Sequence, residues 1–269
     1  VRSLQNLKTT DTGFKDLDNI VSFQVSPALS GYEDERASAF FQQLLEQIRS
    51  ALGIKSAGMA AANLLAGNEW DSTMSVEGHK AADGEDMQAF MNALSPGYFE
   101  TMGVPLVEGR DFDRRDVRHV PDGQPSVAIV NQKFARHFFG DKSPIGRHVG
   151  WGDGPKTKLN IEIIGVVGDS LFEGPREGVH RQVFIPKWGK GTGVFYVRSQ
   201  IDSAQTYNIL RNEVRKLDAA MPVYEMKTLA SQLDETLLSD RLIALLSAGF
   251  RFLATILAAI GLYGVMAFV

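Results

Sequence analysis

The 269-residue sequence contains no cysteine, which removes disulfides, thiolate chemistry and cysteine-based zinc sites from consideration. Its five histidines (His79, His119, His137, His148 and His180) are scattered singly. None has the H-x-x-x-H or H-E-x-x-H spacing that puts two imidazoles on one helical face, so each is expected at the surface or satisfied structurally. No G-x-x-x-x-G-K-[ST] loop occurs. "GVVGDS" (165–170) and "WGKGTGVF" (188–195) lack the spacing and the helix start that would aim amides at a phosphate, and read as turns. No G-x-S-x-G elbow presents a serine. In "DFDRRD" the carboxylates Asp111, Asp113 and Asp116 are interleaved with Arg114 and Arg115, the pattern of a self-neutralising turn rather than an acid/base pair. No catalytic, cofactor-binding or metal-ligating residue is therefore assigned, and no cofactor is expected. A net charge of −4 lacks the basic excess that nucleic-acid binding demands, so no nucleic-acid partner is expected either.

Charge is also missing locally. From Phe252 to Val269 there is no charged residue, and the apolar character extends back to Leu242 with Arg251 as its one interruption. The uncharged part alone spans roughly 27 Å as a helix, close to a hydrocarbon core of about 30 Å. A buried C-terminal helix of a water-exposed domain also fits this stretch, but apolar residues on every face suit lipid better. "VRSLQNLK" reads as the basic flank just after another span. The expectation is a fragment running from just after one membrane helix into a second, truncated one. Arg2, Lys8, Arg241 and Arg251 then lie near the outer ends of these spans, where the bias against positive charge is weak for long translocated segments.

What is present is an alternation of periodicities. "NIVSFQVS" (19–26) alternates like a strand. "GYEDERASAFFQQLLEQIRSALG" reads as a helix with Ala37, Phe40, Phe41, Leu44, Leu45 and Ile48 on one face and acidic residues in its first turn. A strand near "IKSAGMAAAN" completes a β-α-β unit. Residues 68–86 are polar and read as an exposed loop or hairpin, followed by a strand at "QAFMNALS". A short helix in "SPGYFETMG" is expected to start with Ser95 as N-cap and Pro96 at its first position, with Gly103 after its end. The charged stretch from Asp111 marks a boundary. Beyond it "SVAIV", "IEIIGVVGD" and "RQVFIP" read as strands and "NQKFARHFFG" as a helix capped by Asn131. "GVFYVRS", "DSAQTYNILRNEVRKLDAAM" and "PVYEMKT" then repeat the strand-helix-strand plan, the helix carrying Ala204, Tyr207, Leu210, Val214 and Leu217 on one stripe. In "TLASQLDETLLSDRLIALL", Thr228 is the expected N-cap, and Leu229, Leu233 and Leu237 share a face. No proline or glycine intervenes before Gly249. A rod from domain to membrane and an ordinary amphipathic helix packed on the domain both fit that pattern. Ala258, Gly261 and Gly264 place small residues along the apolar stretch, read either as a helix-packing face or as plain glycine tolerance in a span.

Four separated stretches, "SPGYFETMGVPLVEGRDF", "VAIVNQKFARHFFGDKSPIGRHV", "IEIIGVVGD" and "AAIGLYGVMAF", in this order and spacing, resemble MacB/FtsX-type ABC transporter permeases. Among these they are most similar to the duplicated orphan permeases. The resemblance runs from about Arg2 to Val269. It implies an α+β fold: a porter-like β-α-β domain at 19–110 and 191–227, and an inserted strand-rich, sabre-like subdomain at 111–190. A membrane-proximal segment at 1–18 precedes them, and a stalk helix continuing into a transmembrane helix at 228–269 follows. It implies a non-catalytic permease subunit on the outer face of a bacterial inner membrane, its large domain periplasmic. The implied partners are a cytoplasmic ABC ATPase, the lipid bilayer, and a second copy or paired permease half. Mechanotransmission would pass through Leu229, Leu233, Leu237 and Arg241. The alternative within the same topology is a membrane-anchored regulator or sensor of a cell-envelope partner.

Overall fold

A computed structural model describes residues 12–64, 70–118, 125–154, 157–172, 178–186 and 191–266. In chain order the strands are β1 (Ile20–Val25), β2 (Ile54–Ala60), β3 (Asp71–Val76), β4 (Gln88–Leu94), β5 (Leu106–Gly109), β6 (Val127–Asn131), β7 (His148–Trp151), β8 (Ile161–Val167), β9 (Gln182–Pro186), β10 (Gly193–Ser199) and β11 (Val223–Thr228). The helices are α1 (Asp34–Ser50), α2 (Tyr98–Met102), α3 (Arg114–Arg118), α4 (Gln132–Phe139), α5 (Ser203–Leu217) and α6 (Leu229–Met266).

Two strand systems share this chain. The first is an antiparallel sheet in the order β11-β1-β10-β2. With α1 after β1 and α5 after β10, it has the split β-α-β plan of ferredoxin-like domains. Its helices cover one face because their apolar residues recur every three or four positions. All six expected positions of α1 (Ala37, Phe40, Phe41, Leu44, Leu45, Ile48) are buried, packed with Phe23, Phe195, Leu210 and Val214. In α5 the stripe is shifted. Ala204 is exposed and Thr206 is buried instead, because the Thr206 hydroxyl is satisfied by Ser199 Oγ at 2.8 Å and by the Asp202 carbonyl at 2.8 Å.

The second system is a closed ring: β4 pairs β3, β3 pairs β7, β7 pairs β8, β8 pairs β6, β6 pairs β9, and β9 pairs β4. Closure removes open edges from these six strands. Its core joins Met74, Met91 and Ala93 to Val130, Ile163 and Val183, with Phe134 and Phe138 of α4 laid onto it. Asn131 caps α4 as its sequence implies, its side chain accepting from Phe134 N–H at 3.0 Å. The whole ring lies in the chain between β2 and β10, so Asp111 falls inside the inserted stretch. The exposed loop or hairpin expected at 68–86 is corrected: residues 71–76 form the single strand β3, paired with β4 and β7 outside that stretch, and its Met74 and Val76 are buried in the ring.

A third core fuses the two systems. It packs Ile20, Tyr196 and Ala60 of the sheet against Ile129, Ile164 and Phe184 of the ring, with Tyr98, Phe99 and Met102 of α2 between them. Here the expected cap is corrected. α2 starts at Tyr98 behind Gly97, whose φ of 79° needs glycine. Ser95 instead accepts from Met59 N–H at 2.9 Å, tying β4 to β2. Residues 12–18 are packed on the same body: Thr12 and Phe14 are buried, and Arg198 donates to the Lys15 carbonyl at 2.7 Å and the Thr101 carbonyl at 2.8 Å.

Candidate coupling site at the root of the last helix

The link between the domain and α6 is short and heavily held. Thr228 ends β11 and caps the helix, its Oγ1 accepting from Ser231 N–H at 3.1 Å. An i, i+4, i+8 spacing then puts three leucines on one side. Leu229 is fully buried, Leu237 is buried, and Leu233 is half-buried against the third core. Lys227 on the strand pairs with Glu235 on the helix at 2.7 Å. Leu17 of the incoming segment packs on the same core as Leu229, so both ends of the domain meet here.

The apolar stripe carries one polar residue that sequence reading missed. Gln232 is 3% exposed. Its Oε1 accepts from Ser22 Oγ of β1 at 3.2 Å, and its Nε2 donates to Asn63 Oδ1 at 3.1 Å and to the Leu64 carbonyl. Asn63 Oδ1 also accepts from Tyr196 O–H at 3.2 Å, and Tyr196 Oη accepts from Leu64 N–H at 3.0 Å. Burial pushes the Tyr196 phenol well up, so it stays neutral and serves as donor and acceptor at once. Glu225, in β11 with φ 50°, accepts from Gln24 at 2.9 Å and from Asn63 at 3.5 Å. The available signal was angular. At 100° per residue Gln232 lies about 60° from Leu229, on the buried side.

Beyond this root the helix stands clear of the domain. α6 is unbroken over 38 residues, about 57 Å of helix. Leu246, Phe250, Leu253 and Leu257 are exposed, and their spacing puts all four on one face. Ala258 is exposed as well. The description of Arg241, Gly261 and Gly264 is limited to their place in α6, and Arg2, Lys8, His119 and Trp188 lie outside the described residues. Among the described residues, no helix is long and apolar enough to cross a membrane.

Two histidines come together in a way that spacing did not reveal: His79 Nε2 and His137 Nε2 lie 2.9 Å and 3.3 Å from Glu85 Oε1. Arg181 Nη1 stands 2.9 Å from His137 Nε2, which places a cation where a metal would have to sit. Among the described residues no group of three or more acidic or histidine side chains is arranged to hold a metal ion. Two of the "DFDRRD" carboxylates are tied up by arginine, with Arg110 forking onto Asp116 at 2.6 and 2.9 Å and Arg115 onto Asp113 at 2.8 and 3.1 Å, while Asp111 accepts from the Phe112 and Gly97 N–H groups and Arg114 pairs with Glu46 at 2.8 Å.

The family model described as the MacB-like periplasmic core domain matches residues 4–234, ending within the first turns of α6. The chain belongs to that family. It is thereby an extracytoplasmic domain of the MacB/FtsX-type ABC transporter permeases. Its fold is similar to the crystal structure of the periplasmic region of MacB from Actinobacillus actinomycetemcomitans, with a TM-score of 0.51 at 14% identity, covering 86% of this chain and 95% of that one. The extracellular domain of the noncanonic ABC-type transporter YknZ from Gram-positive bacteria aligns at TM-score 0.45 and 17% identity, over 76% of this chain and all of that one. A domain of a putative permease protein from Porphyromonas gingivalis aligns at 0.48 and 16%, over 80% and 92%. No curated protein matches. The MacB-like assignment agrees with the mixed helix–strand architecture and says nothing about where α6 leads.

Proposed function

We propose that this MacB-like domain is the outer part of a non-catalytic permease subunit that converts ATP hydrolysis by a cytoplasmic ABC ATPase into movement of the domain, driving extrusion of a substrate. The observation that carries the reading is α6. One unbroken helix has one face of its first nine residues (Leu229, Gln232, Leu233, Leu237) packed on the domain and its later described residues holding bulky apolar side chains clear of it. A helix rooted in this way transmits displacement rather than absorbing it in a hinge. On this reading α6 becomes a membrane helix over the uncharged stretch from Phe252, in the inner membrane. Leu229, Leu233, Leu237 and Arg241 form the stalk, and Ala258, Gly261 and Gly264 pack against neighbouring helices of a second copy or a paired permease half. The four-stranded sheet with α1 and α5 is the porter-like part, and the ring is the sabre-like one, built from strands of the expected stretch 111–190 together with β3 and β4 from before it.

The test uses the full-length permease with its ATPase in nanodiscs. ATP should change amide hydrogen exchange both in residues 229–237 and in the sheet that they pack on. No change in either segment would sink the coupling reading. The location is checked separately with Asp83→Cys, in an exposed turn of a chain that has no other cysteine in this region. A membrane-impermeant maleimide should label it once the outer membrane is permeabilised. Labelling only after inner-membrane lysis would refute the placement.

A further inference from the structure

We infer that Gln232 is the key that fixes the rotational register of α6 on the domain, and that without it the helix is held but not oriented. The leucine stripe cannot do this alone. Leu229, Leu233 and Leu237 bury area, and burial is non-directional: a helix turned by a few tens of degrees keeps most of that contact. Hydrogen bonds are limited in distance as well as direction, and turning the helix carries the carboxamide away from its partners. Gln232 makes three of them, to groups on two different segments: Ser22 in β1, and Asn63 with the Leu64 carbonyl in the turn that follows β2.

A one-residue slip rotates the helix by about 100°. It would bring the apolar Leu233 side chain onto one donor, the Ser22 hydroxyl, and two acceptors, Asn63 Oδ1 and the Leu64 carbonyl, and strip all three partners from the carboxamide. Each buried polar group so orphaned costs about 1–3 kcal/mol, so the wrong register is penalised on both sides of the contact. A single buried polar residue in an apolar seam specifies register in coiled coils by the same logic. The partners of Gln232 are themselves fixed. Tyr196 holds Asn63 and Leu64 from below, and its ring meets Tyr98 edge-on at 5.7 Å. Tyr98 opens α2, whose Phe99 stacks edge-on against Phe184 of the ring at 5.1 Å. A helix keyed at Gln232 is thus referenced to both strand systems. That this orientation matters for transport rests on the coupling reading above, whereas the keying is measurable without ATPase or nucleotide.

The experiment is a pulsed electron–electron distance measurement on the full chain in nanodiscs. Spin labels are placed at Gln43→Cys, exposed on α1, and Ser247→Cys, exposed on α6. The parent should give one narrow distance distribution. Gln232→Leu, which keeps the volume and removes the bonds, should at least double its width or add a second population. Asn63→Ala, which leaves the helix sequence intact and removes one of the three partners, should broaden the distribution to a smaller extent and guards against a Gln232→Leu chain that does not fold. Leu229→Ala should lower the melting temperature of the domain more than either and leave the width unchanged. An unbroadened distribution in both Gln232→Leu and Asn63→Ala, or equal broadening in Leu229→Ala, would overturn the proposal. Loss of ATP-dependent exchange in the preceding test would instead strike the coupling reading and leave the width result standing.

Discussion

Leu229 and Leu253 sit on one continuous helix, yet the first is 0% exposed and the second 57%. Nothing in the residue type or in local helical propensity separates them. What separates them is a wall: Leu229 has the sheet, the incoming Leu17 and the third core against it, and Leu253 has none of these. The first segment therefore owes its stability to the domain. The second keeps an apolar face that the domain does not bury. A buried leucine contributes about 1.5–3 kcal/mol over an exposed one, so this contrast divides α6 into a part that folds with the domain and a part that waits for its surroundings.

The strongest way to break that contrast is Leu233→Pro. Proline removes the amide that bonds to the Leu229 carbonyl and clashes with it, at about 3 kcal/mol or more on the backbone alone. The root should detach from the exposed part while the four-stranded sheet and the ring stay folded. Circular dichroism should report a retained domain transition, and nucleotide-dependent stimulation in the full permease–ATPase complex should disappear. Unchanged stimulation would mean that α6 is not the transmitting rod. A milder comparison is the pair Leu229→Ala and Leu253→Ala. The first should cost about 2–5 kcal/mol in urea unfolding of the domain, the second within about 0.5 kcal/mol. Equal losses would show that the exposed face is packed on the domain after all.

The helices were legible because their faces are periodic: the six apolar residues of α1 are all buried, and Asn131 and Thr228 cap where their positions imply. The domain plan was less legible, since it depends on pairings between distant strands. β9 runs parallel to β4 and closes the ring, and no local pattern encodes that contact. The charged run at Asp111 leads into α3 and lies after β3 and β4, which already belong to the ring. In α2 the proline rule misplaced the start because Ser95 is used across the sheet by Met59, a competing tertiary bond invisible in the local sequence. Leu229, Leu233 and Leu237 stood out by spacing. Gln232 did not, because a lone glutamine on a helix ordinarily faces water.

A sharper probe of how tightly the two strand systems are fused is Gly58→Ala. A Cβ at Gly58 would come within 2.6 Å of Tyr98 Cα, and backbone cannot move aside as a flexible side chain can. Overpacking of this kind costs about 1–3 kcal/mol, and it should act at the seam. Chemical denaturation is expected to show a lower midpoint, with the edge-on contact of Tyr98 and Tyr196 perturbed in near-ultraviolet dichroism. A wild-type midpoint would mean that α2 is free to lift off β2, and the fusion of sheet and ring would be looser than the packing indicates.

The smallest expected effect contrasts two carboxylates two residues apart. Asp113 is held down to about 2 by side-chain hydrogen bonds from Arg115 first, then by backbone N–H groups of Arg115 and Asp116. Asp111 is pushed up from its ordinary value, chiefly by burial, although Phe112 and Gly97 N–H groups bond to it. The signs are opposite. A depressed folded pKa gives a contribution that is present above the unfolded value near 4 and is lost as pH falls toward 2. A raised one gives a contribution that is present below the unfolded value and is lost as pH rises through the folded value. Lowering the pH from neutral should therefore first gain a little stability through Asp111 and then lose some through Asp113. Thermal melts across pH 2–7 would resolve the two: Asp113→Asn should flatten only the acid limb and Asp111→Asn only the upper one. If Asp111→Asn left the upper limb untouched, the burial of its carboxylate against α2 would be of no consequence to folding, and the turn at 110–116 would be held by its arginine pairs alone.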